Sequence, residues 1–313
     1  MRLLSETSGY DVSSRWVEKG ANRYARPDAR EGVTSLLDVA LMKWKRSVHP
    51  AAAEAYPGER FFPVDLAAVA DLGVAVAICD DERSRLSFMG LVRNFLNACP
   101  PRLCCSAREA RLSGELFWAL SVMGCCGGEL AGPSGGLWRA ALSSAEPPGR
   151  DVLVKLYEAR VLGLAQGLEP EALPVGDARA KVGEAVHGHK EEVLAVRLQR
   201  RSSPFLDCIS ESLSRLGIEH HRNAPFADTD DLELFCLDVA IPSLAVAVEF
   251  AHTSDFLVDA SNKGKRGRES GPVMARRRLA EASGWHVLVV SYKEFNRLYD
   301  TDGFDDFFRR TLN

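Results

Sequence analysis

No apolar run in this 313-residue chain approaches the roughly 18 to 20 residues a membrane span needs, because charged or glycine-rich breaks interrupt every candidate. A positive net charge is missing too. Against 39 Lys and Arg stand 43 Asp and Glu, giving −4 at pH 7, so bulk electrostatics cannot hold a nucleic acid and any such contact must be a local patch. The eight cysteines, at 79, 99, 104, 105, 125, 126, 208 and 236, include no Cys-x-x-Cys. The adjacent pairs Cys104-Cys105 and Cys125-Cys126 do not have zinc-ligand spacing. Most of these thiols lie in apolar helical text, where cysteine is a small buried hydrophobe, and this predicts reduced structural thiols in a reducing compartment. The opening stretch MRLLSETSGYDVSSRWVEKG has no apolar signal-peptide core, and its Glu and Asp make it a poor organellar transit peptide as written.

What is present is the composition of a globular protein, 46% hydrophobic and 26% charged, at a length that suits one large domain or two ordinary ones. Residues 1–33 are polar and aperiodic and are expected to form an extended or loosely helical arm. Residues 34–183 are helical text. SLLDVALMKWKRSV sets Leu36, Leu37, Val39, Ala40 and Trp44 on one stripe. VDLAAVADLGVAVAICD (64–80) and ARLSGELFWALSVMGCC (110–126) look alike, with companions SRLSFMGLVRNFLNAC (84–99) and GGLWRAALSSA (135–145). A third copy begins at VLVKLYEARVLGLAQGL (152–168), and aligning Ala75, Ala119 and Ala159 gives offsets of 44 and 40, within the range of helical-hairpin repeats. A short α-solenoid and an irregular helical domain both fit this text.

The Gly-, Pro- and charge-rich segment 167–188 is the best linker, and its His187 and His189 read as solvated rather than metal-bound. From 184 to 313 the order of elements is α-β-β-β-loop-α-β-α, a small α/β unit. It opens with an amphipathic stretch, 190–216, which Gly217 ends in the left-handed conformation. Its centre is LDVAIPSLAVAVEFAH, two strands joined by a proline-containing turn, with Asp238 opening the first strand and Glu249 closing the second. Many metal-dependent nucleases hold a divalent cation with such a pair, but the lysine expected two residues after the Glu is absent, because that position is Ala251. Lys263 and Lys265 in the following loop are the only substitutes at hand, and a loop lysine is poorly fixed. The alternative is that Asp238 and Glu249 hydrogen-bond neighbouring backbone or pair with Arg277 or Arg278.

Three features carry a family resemblance: the helix ending in Leu216-Gly217, the strand Ala245–Phe250 after Asp238-x-x-Ile241, and RRRLAEASGWHVLVVSYKEF (276–295). Over about residues 204–299 the chain resembles the RAP domain of organellar RNA-binding proteins. It departs from that family where a short Asp-Gly-Pro-x-His run is customary, showing instead Ala251-His252-Thr253-Ser254-Asp255. LSGELFWALSVMG (112–124) is similar to the Leu-Ser-x-x-Leu-x-Trp-Ala repeats that commonly precede RAP domains. The resemblance implies a mainly α, solenoid-like helical-repeat region followed by a restriction-endonuclease-like α/β domain, with RNA bound and no chemistry done on it. Asp238 and Glu249 would then be vestigial, and neither metal nor cofactor is expected.

RNA contact is assigned to Lys263, Lys265, Arg266, Arg268, Arg276, Arg277 and Arg278, offset locally only by Asp259 and Glu269, and to a second cluster of Arg197, Arg200 and Arg201. The acidic net charge favours a component held partly by proteins. The expectation is therefore a mitochondrial ribosome subunit, with plastid as the alternative compartment, touching rRNA and neighbouring proteins. A metal-dependent RNA-processing nuclease with a degenerate site and a protein-only scaffold remain alternatives.

Overall fold

The computed structural model describes residues 65–79, 82–98, 106–143, 149–168, 204–226, 235–251, 255–258 and 266–312. The chain is mainly helical, with a small mixed sheet in its C-terminal part. It divides into two compact units: Met1–Val186 with Leu257–Pro272, and His187–Phe256 with Val273–Asn313. The arm at 1–33, the stripe at 35–48, His187, His189, Arg197, Arg200, Arg201, Lys263 and Lys265 lie outside the described residues.

In the first unit each long apolar segment forms a helix: α1 Leu66–Cys79, α2 Glu82–Ala98, α3 Ala107–Val122, α4 Ala131–Leu142 and α5 Arg150–Ala165. The start of α3 is set by a capping box. The Ser106 hydroxyl accepts from the Glu109 N–H, while the Glu109 carboxylate accepts from the Ser106 N–H at 2.9 Å. From Leu112 to Val122 every residue of α3 is buried, and α3 packs against α1, α4 and α5. Such encirclement explains its text, because a helix without a solvent face has little use for charge. The buried charge it does carry is answered from α5. Lys155 lies 3.9 Å from Glu115 and 5.5 Å from the centroid of the Trp118 ring, and the Trp118 indole donates to Glu158 at 3.3 Å. Gly73 on α1 is small for a reason: a Cβ there would stand 2.8 Å from the tip of the Phe88 ring on α2. Of the three aligned alanines, Ala119 and Ala159 are fully buried and Ala75 is half-buried.

Cys126 behaves as the sequence suggests for a structural thiol. It is fully buried beside the Ser121 hydroxyl at 2.9 Å, and burial pushes its pKa up to about 12, so it stays neutral. Among the described residues, no helix is long and apolar enough to cross a membrane.

The second unit opens with α6 (Pro204–Arg215), whose Leu206, Ile209 and Leu213 face its core. Gly217 at φ 70° ends it. The Gly217 N–H donates to Ser214 and the Ile218 N–H to Leu213, and both Leu213 and Ile218 pack in the core, which is a Schellman ending with its hydrophobic contact. Strands β1 (His221–Pro225), β2 (Cys236–Ile241) and β3 (Val246–Ala251) form an antiparallel meander. The turn Pro242–Leu244 between β2 and β3 closes through Ala245 at φ 51°. Two short strands follow in the chain, β4 (Phe256–Val258) and β5 (Arg266–Glu269), paired with each other, and from Leu257 on they belong to the segment grouped with the first unit. After α7 (Gly271–Ala282), strand β6 (His286–Ser291) lies parallel to β3, giving the sheet order β1-β2-β3-β6. Helices α8 (Tyr292–Asp300) and α9 (Phe304–Leu312) end the chain.

This reproduces the order expected from sequence, with two differences. The loop expected between the third strand and the next helix is interrupted, since residues 257–274 hold part of β4, all of β5 and the start of α7. Arg-Gly-Arg-Glu has no apolar alternation to announce a strand; its strand character comes from backbone pairing with β4. Asp238 and Glu249 are also not at strand ends but are the third and fourth residues of β2 and β3.

Helix α9 is tied back to α6 through Asp305, which accepts from the Ser212 hydroxyl at 2.6 Å and from Arg215 at 2.8 Å. The Arg215 hydrogen bond and then that of Ser212 lower the Asp305 pKa below the ordinary aspartate value. A carboxylate with a depressed folded-state pKa adds stability above its unfolded pKa, and this is lost as pH falls through the folded value. Asp305→Asn is accordingly expected to be less stable than the wild type at neutral pH. The difference should disappear on acidification below the aspartate range, as followed by thermal unfolding across a pH series.

Candidate functional site

In the sheet of the second unit, alternate residues point to opposite faces. Val239, Ile241, Val246, Val248 and Val290 take one face and form the core with α6, α8 and α9. The other face carries Asp238, Ala240, Ala247, Glu249 and Ala251, all buried. The antiparallel register pairs Val239 with Val248. One step further along it, Asp238 stands opposite Glu249 on the same face, where cross-strand side chains are close neighbours. The two carboxylates that sequence singled out are therefore brought together, 7% and 5% exposed.

Two buried carboxylates side by side need a counter-charge. Arg276, from α7, supplies it: its guanidinium reaches Glu249 Oε2 at 3.2 Å. Glu249 is the first cause of a rise in the Arg276 pKa above its ordinary value, with Asp238 and Asp255 adding to it against the opposing effect of burial. Asp238 also accepts from the Phe250 N–H at 2.9 Å, which fixes one of its oxygens on the backbone of β3. Glu249 Oε1 is buried without a hydrogen-bond partner among the described residues. Beside the carboxylates, β2 and β3 carry alanines at 240, 247 and 251 on this face. At the start of β6, the Trp285 indole N–H donates to the Phe226 carbonyl at 2.9 Å, anchoring the exit of α7.

Of the expected site residues, the structure assembles Asp238, Glu249 and Arg276. The sequence assigns Arg276 to RNA and offers Arg277 or Arg278 as partners of the carboxylates; in the structure the ion pair with Glu249 is made by Arg276. Arg277 and Arg278 lie half-buried on the same helix, and Arg266 and Arg268 belong to the backbone of β5. Among the described residues, no group of three or more His, Cys, Asp or Glu side chains is placed to hold a metal ion. Ala251, where a nuclease lysine would stand, is 4% exposed beside Ser291 of β6.

Comparison of the chain with family models, with curated proteins and with solved structures gives no match.

Proposed function

We propose that this protein is a non-catalytic RNA-binding component of an organellar ribonucleoprotein, a mitochondrial ribosome in the leading reading and a plastid particle in the second. Its C-terminal unit is RAP-like, on a restriction-endonuclease-like scaffold, and follows helical repeats. The observation that carries the non-catalytic half is the Arg276–Glu249 ion pair. Metal-assisted phosphodiester hydrolysis needs carboxylate oxygens free to ligate Mg²⁺ and a fixed group to position the attacking water. Here a guanidinium takes one carboxylate, a backbone N–H takes part of the other, and alanine replaces the lysine. Loss of one positioned electrostatic group typically costs roughly a hundred- to a thousandfold in rate.

Two further observations support the reading. A three-stranded meander followed by a helix and a strand parallel to its last member matches the element order of the resemblance. In the first unit, α3 packs on both α1 and α5, as the leading helices of stacked hairpins would. One observation favours a degenerate nuclease instead: Glu249 Oε1 is left without a partner among the described residues, as an unfilled ligand position would be.

A cleavage assay separates the two. With Mg²⁺ or Mn²⁺ the full chain is expected to leave structured RNA intact. Metal-dependent cleavage that Glu249→Ala abolishes would show the site to be active. Co-sedimentation with ribosomes before and after nuclease treatment tests the RNA half, since a protein-only scaffold would remain bound to the same protein neighbours after the RNA is digested.

A further inference from the structure

Helix α6 carries a serine that the sheet core does not use. Leu206, Ile209 and Leu213 face the core, whereas Ser210 lies half-buried beside them. Ten residues on, past the left-handed turn at Gly217, the chain brings His220 back to it. The Ser210 hydroxyl and His220 Nε2 stand 2.6 Å apart, and His220 Nδ1 is 2.9 Å from the Ile218 carbonyl oxygen.

The second contact fixes the sense of the first. A carbonyl has no proton to give, so Nδ1 donates to it, and Nε2 of the neutral ring is left as an acceptor. Ser210 therefore donates its hydroxyl proton toward His220. The carbonyl is itself held in place, because Ile218 packs against the core and its N–H donates to Leu213 at 3.0 Å. A hydroxyl, a base and a group that orients the base, each within hydrogen-bond reach of the next, are the parts of an activated serine. Ser210 lines a cleft of about 430 Å³ together with Asp207, Glu211, Ser214, Arg215 and Arg222. Arg222 reaches Asp207 at 2.6 Å, and Asp207 lies one helical turn before Ser210, so a guanidinium stands near the hydroxyl.

The geometry points to Ser210 as an acyl-accepting nucleophile with His220 as its general base, and to small polar carboxylic esters as its substrates. Ser210 Oγ bonds to the ester carbonyl carbon as its proton passes to His220 Nε2. Arg222 is the cation at hand for the developing oxyanion. The ester C–O bond then breaks, and the alcohol leaves with the proton from Nε2. Water gives a proton to the same nitrogen and attacks the acyl carbon. The acid departs as Nε2 returns that proton to Ser210. Two carboxylates and two guanidiniums along the cleft suit a polar acyl group rather than a lipid chain. The site is separate from the RNA reading, since α6 packs on the valine face of the sheet and Asp238 and Glu249 lie on the other.

The test exposes the full chain, free of RNA, to a fluorophosphonate, whose phosphorus takes the serine oxygen and loses fluoride. Peptide mass spectrometry is expected to place the phosphonate on Ser210, and hydrolysis of p-nitrophenyl acetate should cease once it is attached. His220→Gln can still hydrogen-bond but cannot take the proton, and labelling should slow by roughly a hundredfold or more. The chain unfolded in urea should not be labelled. Ser210 without label, equal labelling of native and unfolded chains, or ester hydrolysis that is absent or survives the label each overturns the proposal. So does labelling that a folded His220→Gln variant leaves unchanged, since the contact would then only tie α6 to the start of β1. Should that variant unfold by circular dichroism, the comparison of native with unfolded wild type decides.

Discussion

Arg276→Ala is expected to lower the unfolding free energy by about 3 kcal/mol, the lower end of what breaking a buried pair costs. The lower end applies because the Arg276 side chain is 30% exposed and water screens part of its charge, whereas Glu249 keeps only 7% of its side chain in contact with solvent. Without the guanidinium, Glu249 remains buried opposite Asp238 with neither oxygen answered by a cation among the described residues. The loss should therefore depend on the charge of Glu249. In a double-mutant cycle, Glu249→Gln with Arg276→Met should lose clearly less than the sum of the two single changes. Urea unfolding of the full chain measures the total, and hydrogen exchange in β3 assigns the loss to the second unit. Arg309→Ala is the control: its pair with Asp306 is 60% and 74% exposed, and such surface pairs contribute between nothing and about 1 kcal/mol. If Arg276→Ala and Arg309→Ala were indistinguishable, the site would be solvent-screened and the assignment of Arg276 as its built-in cation would fail.

Much of the second unit was legible because its signals are local. Gly217 announces a left-handed ending and takes one; Pro242 announces a turn and sits in it. The alternation from Val246 to Ala251 separates core-facing valines from a face of alanine and carboxylate, so the proximity of Asp238 and Glu249 follows from a short turn and a period of two. The partner was missed for a different reason. Three consecutive arginines offer no choice until their helix has a buried face. Arg276 lies one turn before Leu279 and Ala280, both buried, whereas four residues beyond Arg277 and Arg278 come Glu281 and Ala282, both exposed. That signal was in the sequence, but counting the run as one basic patch hid it. The two-stranded β4–β5 pair had no such signal, since its pairing is made by backbone groups that side-chain pattern does not report. In the first unit, helices were readable from period and length, but the near-complete burial of α3 depends on which neighbours surround it, a property of packing rather than of local text.

Committing Arg276 to Glu249 sharpens the expectation for RNA. The basic run from 263 to 278 loses the member that pairs with Glu249, and the weight shifts to Lys265, Arg266 and Arg268, in a stretch with glycines at 264 and 267. Reversing these three charges together is expected to have the largest functional effect of any change considered. Each phosphate contact to a single strand releases counterions worth a slope of about 0.7 in log affinity against log salt, so losing three should flatten the slope by about 2. Affinity at low salt should fall steeply, while at high salt the variant and the wild type converge, because the lost term is the one that salt already suppresses. Fluorescence anisotropy with a labelled single-stranded RNA, titrated at several salt concentrations, reads both quantities. A weaker affinity with an unchanged slope would mean that the reversal disturbed the fold rather than a phosphate contact. An unchanged affinity and slope would place the RNA-binding surface elsewhere, on the helical unit, since the chain's net charge of −4 provides no diffuse attraction to take the place of a specific basic segment.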